Sequence, residues 1–180
     1  GPRACYDESK RFCETLCYEY SKKFKNIAIS VVRPFNNFGP GMSINDARIP
    51  ADLAKNILKR KNFIIYSDGS PKRTFCYISD AIVGYLNSLK VKKFEILNIG
   101  SVEEMTIKRF AKLYQKASIK IFNFKPKIIF KKHKDSNYLK DNPNRRCPDL
   151  SKAKKIIKYK PKINTYMGII KYLKFLKYEN

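Results

Sequence analysis

The sequence predicts an α/β fold in which helices cover a mainly parallel sheet, and three observations carry that reading. Apolar residues recur at helical spacing over residues 6–23 and again over 49–59. The β-branched run IAISVV at 27–32 has the character of a strand buried on both faces of a parallel sheet. Strand-like and helix-like segments then alternate through the rest of the chain, the pattern of βα layers. With 43% hydrophobic and 13% aromatic residues among 180, the chain has the material for a core, which argues against disorder.

Over residues 6–23 the stripe is Phe12, Leu16 and Tyr20, with Cys13 and Cys17 beside it as core-facing positions; Asn26 breaks this helix. A Pro/Gly/Asn loop over 33–43 follows the first strand. The helix at 49–59 turns Leu53, Ile57 and Leu58 inward. Residues 63–66 read as a strand, Asp68-Gly69-Ser70 as a turn and 73–77 as a further extended piece. Ser79 or Asp80 starts a helix ending near Leu89. A strand at 94–99 precedes Thr106, which caps the helix carrying Ile107, Phe110, Leu113 and Tyr114. Residues 119–130 read as extended with an interruption at Pro126, and 131–148 as the longest loop, a length that is usually functional. Helices at 151–158 and 166–178 close the chain, the second placing Ile169, Ile170, Leu173 and Leu176 inward. No internal repeat is visible.

Lys+Arg number 39 against 15 Asp+Glu, so the formal charge is +24. The excess is almost all lysine, interleaved with Ile, Asn, Phe and Tyr, the bias that an AT-rich genome writes into any cytosolic protein. Sequence readers of nucleic acid lean on arginine, so no specific nucleic-acid partner is expected. The field instead suits a negatively charged small substrate. A polyanion-binding module is the competing class, and its affinity for DNA would collapse with salt. Five irregularly spaced cysteines make no disulfide scaffold. No run of about 20 apolar residues encodes a membrane span, and no signal peptide opens the chain, so a cytoplasmic location without a membrane partner is expected. The chain starts Gly1-Pro2-Arg3 and its first methionine is Met42, which reads as a portion of a longer product.

The chemistry points to Tyr6-Asp7-Glu8-Ser9-Lys10. Positions i and i+4 share a helix face, so the Tyr6 hydroxyl and the Lys10 ammonium can reach one ligand. A free phenol is a poor base at neutral pH; a fixed cation beside it, and a place in the first helical turn, both favour the phenolate. A tyrosine tuned in this way can take a proton from a sugar hydroxyl while hydride leaves the same carbon. Other candidates are weaker. Cys13 and Cys17 lack a second ligand pair, so no metal site is expected. His133 sits in a lysine-rich loop and reads as solvated, and Ser9 as a helix-surface residue.

The block GPRACYDESKRFCETLCYEY followed by VVRPFNNFGPGMSINDARI resembles the extended short-chain dehydrogenase/reductases that act on nucleotide sugars, nearest the UDP-glucuronate decarboxylase (UDP-xylose synthase) group. The blocks YSDGSPKRTFCYISDAI, LNIGSVEEMTI and NRRCPDLSKAKKIIKYKPKI extend the likeness, in order, over nearly the whole chain. The resemblance implies the C-terminal part of a Rossmann-type, doubly wound NAD-binding fold plus a small α/β substrate-binding lobe. Residues 1–60 would hold the active-site helix and later elements of an incomplete Rossmann domain, and 61–180 mainly the nucleotide-sugar lobe. It implies Tyr6 as proton acceptor and Lys10 as holder of the nicotinamide ribose, with Asn37 and Arg48 near the cofactor. Asn36, Tyr66, Arg73, Tyr138 and Arg146 would serve the nucleotide sugar, the arginines by pairing with phosphate or carboxylate oxygens.

The implied cofactor is NAD and the implied substrate a UDP-sugar, with a homodimer formed through the helix at 6–23. The implied reaction is decarboxylation of UDP-glucuronate to UDP-xylose through a 4-keto sugar. The chain departs from the decarboxylases at Gly41, where they usually carry arginine, and at Ser9, where they usually carry glycine. Related 4,6-dehydratases and 4-epimerases share the remaining motifs. No Gly-x-Gly-x-x-Gly or Gly-x-x-Gly-x-x-Gly occurs among the seven glycines. The family's glycine-rich turn is therefore expected upstream of Gly1, and the chain alone is expected to bind NAD poorly and be inactive. A non-catalytic remnant, or a subunit pairing with a separate NAD-binding half, is the alternative from another class.

Overall fold

The computed structural model describes residues 4–132 and 143–179. Helix α1 (Ala4–Lys23) leads into strand β1 (Ser30–Pro34), which pairs in parallel with β6 (Glu95–Ile99), Val31 against Ile96 and Val32 against Leu97. The short β2 (Asn37–Phe38) pairs in parallel with β5 (Cys76–Tyr77), and β3 (Phe63–Ile65) with β8 (Ile128–Phe130). Strand β4 (Lys72–Arg73) lies between β7 (Met105–Thr106), antiparallel to it, and β9 (Arg145–Arg146), parallel to it. The remaining helices are α2 (Ile49–Leu58), α3 (Ile78–Ser88), α4 (Ile107–Phe122), α5 (Ser151–Ile157) and α6 (Thr165–Glu179).

Two hydrophobic cores hold these elements. One gathers Leu53 and Ile57 of α2, Phe110 and Tyr114 of α4, Ile169 and Leu173 of α6, and Phe38 and Phe63. Phe75 stacks on Phe110 at 3.6 Å between ring centres. The other gathers Leu97 and Ile99 of β6, Ala81 of α3, Ala153 and Ile157 of α5, and Tyr159. Here α3 must lie against β6 with no side chain between them. A Cβ on Gly84 would stand 2.6 Å from Ile99 Cγ2 and 2.9 Å from Tyr159 Cε2. The turn Asp68-Gly69-Ser70 forms as expected, with Gly69 at φ +78° and Asp68 Oδ1 accepting from the Ser70 amide.

Four local expectations change. The first strand begins at Ser30 rather than residue 27; Ile27 is 51% exposed and no β1 residue is fully buried. Among the described residues β1 pairs only with β6, so its apolar run is covered on one side. Neither Ser79 nor Asp80 caps α3. Tyr77 holds the cap position, and the Asp80 carboxylate instead accepts from the backbone amides of Lys162 and Ile163 at 2.9 and 2.8 Å. Helix α4 runs on through Phe122 and stops at Asn123, which adopts φ +49°. Its last turn packs Ile121 and Phe122 against the first core, which overrides the strand propensity of residues 119–122. Finally, no residue of α1 is buried: Cys13 is exposed and Cys17 only partly covered, and the stripe is open, with Phe12 68% exposed. The Thr106 cap does form, its hydroxyl accepting from the Arg109 amide at 3.1 Å.

Candidate active site

The loop after β1 turns through Asn36, whose φ of +42° suits asparagine better than most side chains. Its Nδ2 donates to the Thr74 carbonyl at 2.8 Å, and its own carbonyl accepts from the Cys76 amide. The β2–β5 pairing therefore joins residues 36–37 to residues 74–76, one step from Arg73. Asn37 donates through Nδ2 to the Tyr85 hydroxyl, while its Oδ1 is buried without a partner. Burial raises the Tyr85 hydroxyl above the ordinary tyrosine range, and the Asn37 bond opposes that.

A cleft of about 520 Å³ opens beside this loop, and Asn36, Asn37, Arg48, Tyr66 and Arg73 all line it. Arg73 is 8% exposed; its Nη1 donates to the carbonyls of Lys72 at 2.7 Å and Asn144 at 3.4 Å. Arg146 stands directly opposite Arg73 across the β4–β9 pair. Arg48 precedes α2 and forms a fork with Asp46, Nη2 to Oδ2 at 2.7 Å, which holds the Asp46 carboxyl below its ordinary range. Asp52 also lines the cleft, and burial pushes its carboxyl up while Lys55 opposes that. The sequence reading missed Asp52, which stands in the first turn of α2 and faces the cleft. It also missed Tyr85, since no local signal ties Tyr85 to Asn37.

Tyr6 and Lys10 come together on α1, with Lys10 Nζ 5.5 Å from the centre of the Tyr6 ring. Both are exposed, and neither lines the cleft. Their direction follows from two anchors. Tyr18 packs edge-on against Phe94, just before β6 begins, and Glu14 takes a fork from Arg33 near the end of β1, Nε to Oε1 at 2.6 Å. The helix thus runs antiparallel to β1. At 1.5 Å per residue its first turns project past the carboxyl ends of the strands, the end from which Asn36 and Asn37 emerge and where α/β sheets bind ligands. Tyr138 and His133 lie outside the described residues. Among the described residues no group of three metal-binding side chains lies together.

Residues 1–100 match the NAD dependent epimerase/dehydratase family. The chain belongs to that family. It is 34% identical to UDP-glucuronic acid decarboxylase 1 of Danio rerio, over 99% of this chain and 40% of the relative. It is 31% identical to UDP-glucuronic acid decarboxylase 6 of Arabidopsis thaliana, over 94% of this chain and 46% of that one. UDP-glucuronic acid 4-epimerase of Bacillus cereus, solved with UDP-glucuronic acid and NAD, superposes with a TM-score of 0.74 at 27% identity, over 93% of this chain and 50% of that one. UDP-glucose 4-epimerase of Thermotoga maritima, at 19% identity and TM-score 0.86, shares the fold over 97% of this chain and 53% of its own. The fold is accordingly Rossmann-like α/β, as this epimerase/dehydratase family has it. The chain spans about half the length, or less, of the relatives it matches.

The family's NAD can be set against the residues present. Tyr6 and Lys10 offer a hydroxyl and an ammonium side by side, donors suited to a nicotinamide ribose, and Asn37 Oδ1 is a buried acceptor with its bond unfilled. These residues fit the nicotinamide end. For the pyrophosphate, the seven glycines supply no glycine-rich turn into a helix.

Proposed function

We propose that this chain carries the substrate-binding and proton-transfer part of an NAD-dependent enzyme that decarboxylates UDP-glucuronate to UDP-xylose. The observation that carries the reading is one cleft lined together by Asn36, Asn37, Arg48, Tyr66 and Arg73, with Arg146 beside Arg73. The likeness to decarboxylases over nearly the full chain supports it.

In this account Arg73 and Arg146 pair with the diphosphate or the sugar carboxylate, because guanidinium forks match those oxygens two at a time. Asn36 and Tyr66 orient the sugar and the base. Tyr6 accepts the proton of the C4 hydroxyl, and Lys10 holds the ribose and stabilises the phenolate as it forms. Bound NAD supplies reversible hydride chemistry at that carbon. A C4 ketone makes the C5 carboxylate a β-keto acid, which breaks its C5–C6 bond to release CO₂ and leaves the electron pair in an enolate. Asn37 and Arg48 serve the cofactor side.

A 4-epimerase is the second reading, favoured by the Bacillus cereus likeness at 27% identity; a 4,6-dehydratase of the same family is a variant of it. An NAD-binding half carrying the glycine-rich turn completes the site, supported by β1 having a strand on one side only among the described residues. Without that half the chain is inactive. The open Phe12, Leu16 and Tyr20 stripe of α1 supports pairing with a second copy, and the free cysteines support a cytoplasmic setting.

The test supplies the chain with an NAD-binding half, NAD and UDP-glucuronate labelled at C6. Labelled CO₂ with UDP-xylose is expected. UDP-galacturonate with no CO₂ favours the epimerase, and unchanged substrate with neither product contradicts an enzymatic role.

A further inference from the structure

Strands β4 and β9 oppose like charges twice, Lys72 against Arg145 and Arg73 against Arg146. Directly opposed like charges weaken a strand pair, so β9 needs something to offset them. Successive side chains point to opposite faces, so the two pairs lie on opposite sides of the sheet.

On the outer face Lys72 and Arg145 are exposed; Glu104 pairs with Arg145 and also feels the Lys72 charge. Arg145 Nε and Nη2 donate to the two Glu104 oxygens at 2.9 Å each. That bond, with the Arg145 and Lys72 charges, holds the Glu104 carboxyl below its ordinary range. Glu104 immediately precedes β7, on the far side of β4 from β9. The Arg145 side chain therefore crosses β4 and ties the two outer strands together.

The inner face differs. Arg73 is buried, with buried Met105 paired to it from β7, and Arg146 is partly buried. Arg146 has no hydrogen-bond or ion-pair partner among the described residues. Arg73 lines the cleft. Charges withdrawn from water act more strongly than exposed ones, so an anion lying between these two guanidinium groups is attracted strongly by both.

We propose that Glu104 is a positioning residue for anion binding: acting through Arg145, it straps β9 across β4 and so holds Arg146 opposite Arg73, where the diphosphate or carboxylate of the substrate is taken up. The inference rests on the nucleotide-sugar reading and names what shapes its anion site. A bound anion bridges Arg73 and Arg146 on the inner face as Glu104 bridges the strands on the outer one. By linkage, anion binding and docking of β9 then strengthen each other.

The test compares wild type, Glu104→Gln, Arg146→Gln, the double variant and the charge swap Glu104→Arg with Arg145→Glu. Calorimetry reads binding of UDP-glucuronate at low salt, and hydrogen exchange reads the Lys72 amide, which donates to the Asn144 carbonyl beside β9 at 2.8 Å. Glu104→Gln should weaken binding by roughly fivefold to tenfold and speed exchange at Lys72. The melting temperature should move by no more than about 2 °C, since an exposed ion pair adds little stability. The swap should recover both readouts, and Glu104→Gln should cost nothing further on the Arg146→Gln background. Wild-type affinity in Glu104→Gln alongside a loss in Arg146→Gln overturns the proposal. If the wild type binds no UDP-glucuronate, the nucleotide-sugar reading fails; the exchange arm still decides the strap, and unchanged protection of Lys72 in Glu104→Gln overturns it.

Discussion

Lys10 Nζ stands 5.5 Å from the centre of the Tyr6 ring, one helical turn along α1, so the two side chains share one face of the helix. Removing only the hydroxyl tests its part in proton transfer. Tyr6→Phe in the completed enzyme should lower kcat by about 10²–10⁴-fold and leave UDP-glucuronate affinity within about twofold. Equal losses in both would make Tyr6 a binding residue. Asp52 gives a prediction with a definite sign. Burial raises its folded pKa, so the stability it contributes is present below the ordinary aspartate value and is lost as pH rises through the raised one. Asp52→Asn should therefore raise the melting temperature at pH 7, and the gain should shrink toward zero as pH falls to about 4. A gain independent of pH would rule out the carboxylate as its source. The Tyr6–Lys10 spacing was legible, because a helix turns sequence separation into proximity; Asp52 was not, since only the finished cleft shows that it lines the same wall as Arg48. The Asn37–Tyr85 bond was not, since it joins residues whose meeting depends on how α3 packs.

At the scale of elements, α3 sets two terms against each other. Replacing glycine by alanine within a helix gains about 1 kcal/mol of propensity. A methyl at Gly84 would have to displace Ile99 and Tyr159 from a filled core, and overpacking of that kind costs about 1–3 kcal/mol. Gly84→Ala should thus destabilise the protein in urea melts despite the better helix former, and a net stabilisation would mean that α3 does not sit so close to β6. Thr106→Ala should cost about 1 kcal/mol through its cap bond to Arg109. That cap could be read from the residues around it. The extra turn of α4 could not, because residues 119–122 carry β-branched and aromatic side chains and become helical only by packing against the first core. The shift of the first strand has a similar origin: register with β6, set from outside the segment, decides which of residues 27–34 pair.

For the whole molecule, the alternation of elements and the family resemblance told the Rossmann-like α/β class, and the resemblance also grouped Asn36, Tyr66 and Arg73 at the nucleotide sugar; that they line one cleft, with Asp52 among them, is a product of the finished fold. Charge operates at this scale as well. A net +24 should give DNA binding that falls steeply between 50 and 200 mM salt, as counterion release requires, while specific binding of UDP-glucuronate should respond far less. Parallel losses of both would make the cleft part of a general cationic surface. The most direct measurement is an amide chemical-shift titration of the chain with UDP-glucuronate at 150 mM salt. Saturable shifts at Asn36, Tyr66, Arg73 and Arg146 are predicted. Shifts confined to the lysines of α5 and α6, or none at millimolar ligand, would contradict a nucleotide-sugar cleft.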